Sequence, residues 1–349
     1  MAKFCIFCGN TPDKKNKEHV IPQWLSKFTG KYHSVCRLGG VPQRDITFSA
    51  LTFPACTACN EKFSILEAQS KSILTNIMES KPVTAWEINT LMDWFDKIRV
   101  GMWLGQLTLE SKVDAVAPKF HIADRIGKKD RFLMIERIKT DGKGIALAGI
   151  DSPIFTDMPS AFQITINDFV FTNASEYGLV SEKLGFPKFH KIKFHDDNHE
   201  ILTVDKGRNK TKHPIIPMYT PANTCTLIYQ PMYPGLRSIQ PNNPFDVPYV
   251  QQHSLDAENG RGGIFLQKKD NTVRYLAPDQ KINVTPKEFA TGGLVECAMP
   301  TYELQGYILE HLYDLKSAHP ATQQFCQHAI AMNKWRIQNT MRAYGIKKR

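Results

Sequence analysis

Two Cys-x-x-Cys pairs, Cys5/Cys8 and Cys56/Cys59, constrain this chain more than any other feature in it. Such a turn points two thiolates at one metal ion, and two turns supply the four soft ligands that zinc takes in a closed tetrahedral site. Disulfide bonding is the competing use of paired cysteines. Against it, the residues from Met1 to Cys5 have neither the apolar stretch nor the small-residue cleavage site of a secretory signal. No apolar run approaches the ~18 residues of a membrane span either. The expectation is a soluble chain in a reducing, cytoplasmic compartment, where paired cysteines hold metal. A structural Zn2+ on Cys5, Cys8, Cys56 and Cys59 would staple the start of the chain to the helix that follows Cys59.

The pattern around the cysteines gives the organisation. Between the pairs, Gly39-Gly40 and short extended runs such as Ile46-Thr47-Phe48 suit a hairpin. After Cys59, Phe63, Leu66, Ile73, Leu74 and Ile77 recur at helical spacing, and Pro82 closes that helix. A second helix is predicted from Thr84 to Leu107, with Trp86, Leu91, Phe95, Ile98 and Met102 on one face. Glu87, Asp93, Asp96, Lys97 and Arg99 break its hydrophobicity, so it reads as a buried core helix rather than a membrane span. From Glu110 to Arg131 the pattern dissolves into Lys, Asp, Gly and Pro. Beyond it come β-like runs, Phe132–Ile138, Ile145–Ile150, Phe162–Phe171, Glu200–Val204, Thr226–Tyr229 and Gly263–Leu266, and then a helical stretch from Tyr302 to Tyr344.

Candidate chemistry sits between the cysteine pairs. Glu18-His19-Val20-Ile21-Pro22 follows the first pair, and Asn60 comes directly after the last cysteine. Folding on zinc brings Asn60, at a helix start, toward Glu18-His19. A carboxylate and an amide oxygen are hard ligands suited to Mg2+ or Mn2+. A neutral imidazole beside them can take a proton from water. Nucleophile, base and Lewis acid are then all present for attack on a phosphodiester.

The string Cys-x-x-Cys, Glu-His-Val-Ile-Pro, Cys-x-x-Cys-Asn resembles the HNH, or ββα-metal, nuclease family. It is most similar to its zinc-knuckled branch, which includes phage Holliday-junction resolvases and many restriction and defence nucleases. The likeness covers about residues 4–68. It implies His19 as general base, Glu18 and Asn60 as ligands of a divalent metal, and the four cysteines as ligands of the structural zinc. It also implies that the metal stabilises the leaving 3′-oxygen and that products carry a 5′-phosphate. Two positions depart from the family. No Asn lies between residues 17 and 59 to orient the histidine, so Ser49, Gln43 or a backbone carbonyl takes that role. Where many members carry a further ligand, this chain has Phe63 and Ser64. Glu67 is two helical turns on, a water-mediated ligand or a solvated helix residue. The expected architecture is α+β: a zinc-stapled ββα-metal nuclease module at residues 1–80, a helical connector at 81–109, and a β-rich recognition or regulatory domain with a basic helical C-terminus at 110–349.

Charge agrees with a polyanionic partner without requiring one. Lys and Arg number 44 against 34 Asp and Glu, a formal net charge of +10. Lys188, Lys191, Lys193, Lys210 and Lys212, interleaved with Phe186, Phe189 and Phe194, read as a nucleic-acid contact strip; a hairpin edge guarded by lysines is the plainer reading. The same residues leave the His190, His195, His199 and His213 group as basic surface rather than a metal site. Three functions stay open: a DNA endonuclease used in restriction or phage defence, a non-catalytic zinc-knuckle binder of nucleic acid, and a nuclease gated by a small-molecule or protein activator at the C-terminal domain. Cutting both strands of a duplex would call for a homodimer.

Overall fold

The computed structural model describes residues 4–14, 16–30, 35–38, 44–109, 121–140, 142–186, 188–193, 200–205, 214–233 and 248–346. It is a mixed α+β structure with the four-cysteine cluster at its N-terminal end, a pair of long helices, and a seven-stranded antiparallel sheet.

The first module is built on a short antiparallel pair, β1 (Lys17–His19) and β4 (Thr52–Pro54), in which Glu18 lies opposite Phe53 and His19 opposite Thr52. The chain between them forms helix α1 (Gln23–Thr29), closed by Gly30 in the left-handed region, and the strand pair β2 (Val35–Leu38) and β3 (Arg44–Thr47). The glycine pair Gly39-Gly40 of the expected hairpin lies between those strands, outside the described residues. From β4 the chain passes through Cys56 into helix α2 (Thr57–Met78).

Helix α2 stops at Met78, four residues before Pro82. Its end is set by Glu79 N–H on Thr75 O and by Ser80 turning to positive φ, not by the proline. Helix α3 (Ala85–Leu109) opens with a reciprocal cap: Thr84 N–H donates to Glu87, and Glu87 N–H donates to the Thr84 hydroxyl. Leu91, Phe95, Ile98 and Met102 are fully buried as the periodicity demands, whereas Trp86 is 41% exposed.

The large sheet has the order β15-β14-β11-β5-β8-β7-β6, from β5 (Asp130–Arg137), β6 (Ile145–Ala148), β7 (Ala161–Ile166), β8 (Phe169–Glu176), β11 (Cys225–Gln230), β14 (Ile264–Gln267) and β15 (Val273–Leu276). The run read as one strand over Phe162–Phe171 is two, joined through Asn167 at φ 56°. Side pairs are β9 (Lys188–Lys193) with β10 (Glu200–Asp205), and β12 (Ser254–Asp256) with β13 (Arg261–Gly262). Strand β5 is apolar on both faces because both are covered. Leu133 and Ile135 join the core that contains Phe95 and Ile98 of α3; Phe132 and Met134 join the one that contains Leu304 and Ile308 of α6 (Leu294–His311). Short helices α4 (Pro153–Asp157) and α5 (Pro248–Gln252) lie between strands, and α7 (Pro320–Ala343) packs on α6. The core around α3 runs without a break from Cys5 to Leu276, so the cysteine module and the sheet share one hydrophobic interior. Among the described residues no helix is long and apolar enough to cross a membrane.

Candidate metal centre

The first cysteine pair sits on a tight turn: Gly9, at φ 76°, donates its N–H to Cys5 O, and Cys5 N–H donates to Asn10 O. The turn is tied on both sides, by Ile6 N–H on Pro54 O and by Ile122 and Ala123 N–H on the carbonyls of Ile6 and Phe7. The second pair spans the start of α2, with Cys56 preceding its first residue. Asp13 reaches across to accept the otherwise unpaired Thr57 N–H at 2.9 Å, which holds its carboxyl below the usual range and puts negative charge at the helix N-terminus.

These elements bring the four Sγ atoms of Cys5, Cys8, Cys56 and Cys59 within 4.8 Å of one another, with Cys8 and Cys56 at 3.8 Å. Ligands about 2.3 Å from a tetrahedral zinc lie about 3.8 Å apart. The spacing fits, and so does the charge. Burial opposes ionisation of Cys5, but the N–H groups of Cys56, Cys8 and Phe7 outweigh it and draw that thiol down. Burial and the neighbouring sulfurs of Cys5 and Cys8 push Cys56 up to about 11 and raise Cys59 further. One thiolate is welcome and each further one is costly, unless a divalent cation sits among them. The cluster can hold a structural zinc.

The residues expected at a catalytic site stand on elements next to the cysteine cluster. Glu18 and His19 are on β1, and Asn60 lies in the first turn of α2, its N–H on Cys56 O. Strand β4 of the β1–β4 pair leads through Cys56 into that helix, and Ala55 N–H on Asn16 O holds the junction. The amide nitrogen of Gln23 lies 3.1 Å from His19 Nε2. The amide of Gln23 thus holds the ring through Nε2. Gln23 touches the histidine for which Ser49, Gln43 or a backbone carbonyl is the expected partner. Ser49 is exposed and donates to the Thr47 hydroxyl, and Gln43 lies outside the described residues.

Glu18 has a partner that the motif does not announce. Lys97, on α3 and 1% exposed, places its ammonium 2.5 Å from Glu18 Oε1 and also donates to Glu67 Oε1. Glu67 is therefore not a solvated helix residue. Burial raises its carboxyl pKa, against the pull of Lys97. Two carboxylates share one ammonium, leaving the group one negative charge in excess, and Lys97 Nζ lies 5.9 Å from the centre of the Phe7 ring. Phe63, where a further ligand might stand, is consumed by packing: its ring stacks on Phe7 with centroids 4.0 Å apart.

The basic strip is only partly placed. Lys188, Lys191 and Lys193 lie on β9, paired with β10 as the plainer hairpin reading has it; their side chains, and all of Lys210 and Lys212, lie outside the described residues. Compared with known proteins, the chain matches no family model, no curated protein and no solved structure.

Proposed function

We propose that the N-terminal module is a metal-dependent endonuclease that hydrolyses phosphodiester bonds of DNA, with the HNH arrangement that its motifs resemble. The observation that carries this reading is topological: Glu18 and His19 stand on one strand of an antiparallel pair whose other strand leads, through Cys56, into the helix bearing Asn60. His19 would take the proton of the attacking water, its ring positioned by Gln23. Glu18 and Asn60 would hold Mg2+ or Mn2+, hard oxygen donors for a hard ion that keeps most of its waters. The negative charge left over between Glu18, Glu67 and Lys97 suits a cation there. When bound, the ion supplies Lewis-acid stabilisation of the leaving oxygen. A cavity of about 520 Å³ along β1 and β4, lined by Lys14 and Lys17, offers cationic side chains for the phosphate backbone beside the catalytic strand. Such a module has little specificity of its own, and by analogy with related architectures its use would be restriction or phage defence.

One observation favours a second reading. Lys97 already neutralises Glu18, so a zinc-knuckle binder of nucleic acid needs no catalytic metal to explain that carboxylate. A cleavage assay on plasmid, linear duplex, single-stranded and branched DNA, with Mg2+, Mn2+ or EDTA, separates the two. The nuclease reading expects metal-dependent products with 5′-phosphates, lost by roughly 10²–10⁴-fold in a folded, zinc-loaded His19→Ala variant. Undiminished cutting by that variant, or DNA binding with no cleavage under any condition, would overturn it.

A further inference from the structure

Helix α7 buries one face and exposes the other. Cys326, Ala329, Ile330, Asn333 and Ile337 are buried, on the side packed against α4 and α6. On the outer side, Phe325, His328, Met332, Trp335, Asn339 and Arg342 recur at alternating steps of three and four residues, all exposed except the half-buried Asn339. Such steps keep side chains in one narrow seam along a helix, the seam by which two helices pair. Phe325 is 44% exposed, Met332 39% and Trp335 60%. Exposed apolar residues scattered singly are ordinary on a protein surface. Three large ones on one seam, with Arg342 the only charged residue among the six, are not what a solvated helix face carries.

Charge decides between occupants. Nucleic acid or an anionic membrane surface needs several cations to hold it, and the seam offers Arg342 alone. The flanking cations are already paired, Lys334 with Glu310 and Arg336 with Asp151, each at 2.6 Å. A basic partner finds nothing either, because α7 contains no Asp or Glu. The seam does fit a second copy of itself. Run antiparallel about a two-fold axis midway between Phe325 and Trp335, it sets Phe325 of each copy against Trp335 of the other, and His328 against Met332. The same register leaves the two Arg342 side chains at opposite ends, about 36 Å apart along the helix axis. A parallel pairing would set Arg342 on Arg342. We propose that α7 is the interface of a homodimer, an antiparallel helix pair in that register. The contact strip on each copy, about 36 Å by 10 Å, is smaller than a standard interface, so a micromolar Kd is expected. The pairing stands whether or not the N-terminal module cuts nucleic acid.

Sedimentation velocity of the full, zinc-loaded chain, from about 1 to about 200 µM, is the test. A monomer–dimer equilibrium is expected. Trp335→Glu and Phe325→Lys, both at exposed positions, should each weaken it at least about tenfold and leave the melting curve of the dilute monomer in place. A mixture of the two variants checks the register. Alone, each variant places two unpaired charges in the interface. Mixed, the introduced lysine faces the introduced glutamate and the remaining tryptophan faces the remaining phenylalanine, so the mixture should dimerise at concentrations where neither variant does. No rescue in the mixture would overturn the antiparallel register. A chain that stays monomeric throughout, or a dimer indifferent to both variants, would overturn the interface. A monomeric chain that instead binds a single-stranded oligonucleotide or anionic vesicles, and loses that binding in Trp335→Glu, would give the seam to that partner and overturn the proposal as well.

Discussion

Lys97 is the residue through which the candidate site depends on the rest of the molecule. Its ammonium is buried between Glu18 and Glu67, two carboxylates that would otherwise repel one another away from water. Removing one partner of such a group leaves uncompensated buried charge, so Lys97→Met should cost about 3–5 kcal/mol of stability, read by urea unfolding at neutral pH. Replacing all three with Lys97→Met, Glu18→Gln and Glu67→Gln should recover much of that loss. A Lys97→Met variant as stable as wild type would mean that the ammonium contributes little to folding. None of this was legible locally. Lys97 reads in the sequence as one of five polar interruptions in an apolar helix, and its partners are 79 and 30 residues away. The cysteines were legible because ligand chemistry dictates their spacing. The contact of Gln23 with His19, four residues away, carries no such signature.

At the scale of elements, α2 and α3 were visible from their 3.6-residue period, but what seats the module on α3 was not. An added Cβ at Gly101 would lie 2.9 Å from Val20 Cγ1, and one at Gly105 would lie 2.9 Å from Leu51. Two glycines one turn apart thus let the chain just after β1 and just before β4 press onto the helix. Gly101→Leu should push Val20 away, lowering stability by roughly 1–3 kcal/mol in thermal melts. Because Val20 follows His19, cleavage should fall with it. The knuckle has its own dependence on metal. Thiolate ligation carries much of the folding free energy of small zinc modules. Stripping zinc with a strong chelator should therefore expose the amides of residues 5–10 and the first turn of α2 to hydrogen exchange, while β5, β8 and β11 stay protected. One zinc per chain should be released, and acidification should release it too as the thiolates protonate. Equal protection before and after stripping would remove the metal from the account of this fold.

For the whole molecule, the β-like runs showed where strands lie but not their order, since neighbours such as β5 and β11 are some 90 residues apart and their pairing leaves no local mark. Nor did the sequence show how the sheet is joined to the helices. Buried Arg131 of β5 donates to Gln230 Oε1 of β11 at 2.9 Å and to Asn89 Oδ1 of α3 at 2.7 Å, and it pairs with Asp93. Arg261 of β13 reaches the same Asn89 and Asp93, each at 2.8 Å. This planar, forked cation therefore fastens three elements at one point, which a lysine cannot do. Its loss would not strip the carboxylates bare, because Asp93 keeps Arg261 and Asp96 keeps Arg99. Arg131→Met should accordingly cost about 3 kcal/mol, the low end for breaking a buried pair, and Arg131→Lys nearly as much. Both should retain zinc, since the network lies on the sheet side of α3, away from the cysteines. Urea unfolding beside a zinc assay checks the two halves of this prediction. Loss of zinc together with stability would mean that the sheet, and not α3 alone, holds the N-terminal module in shape.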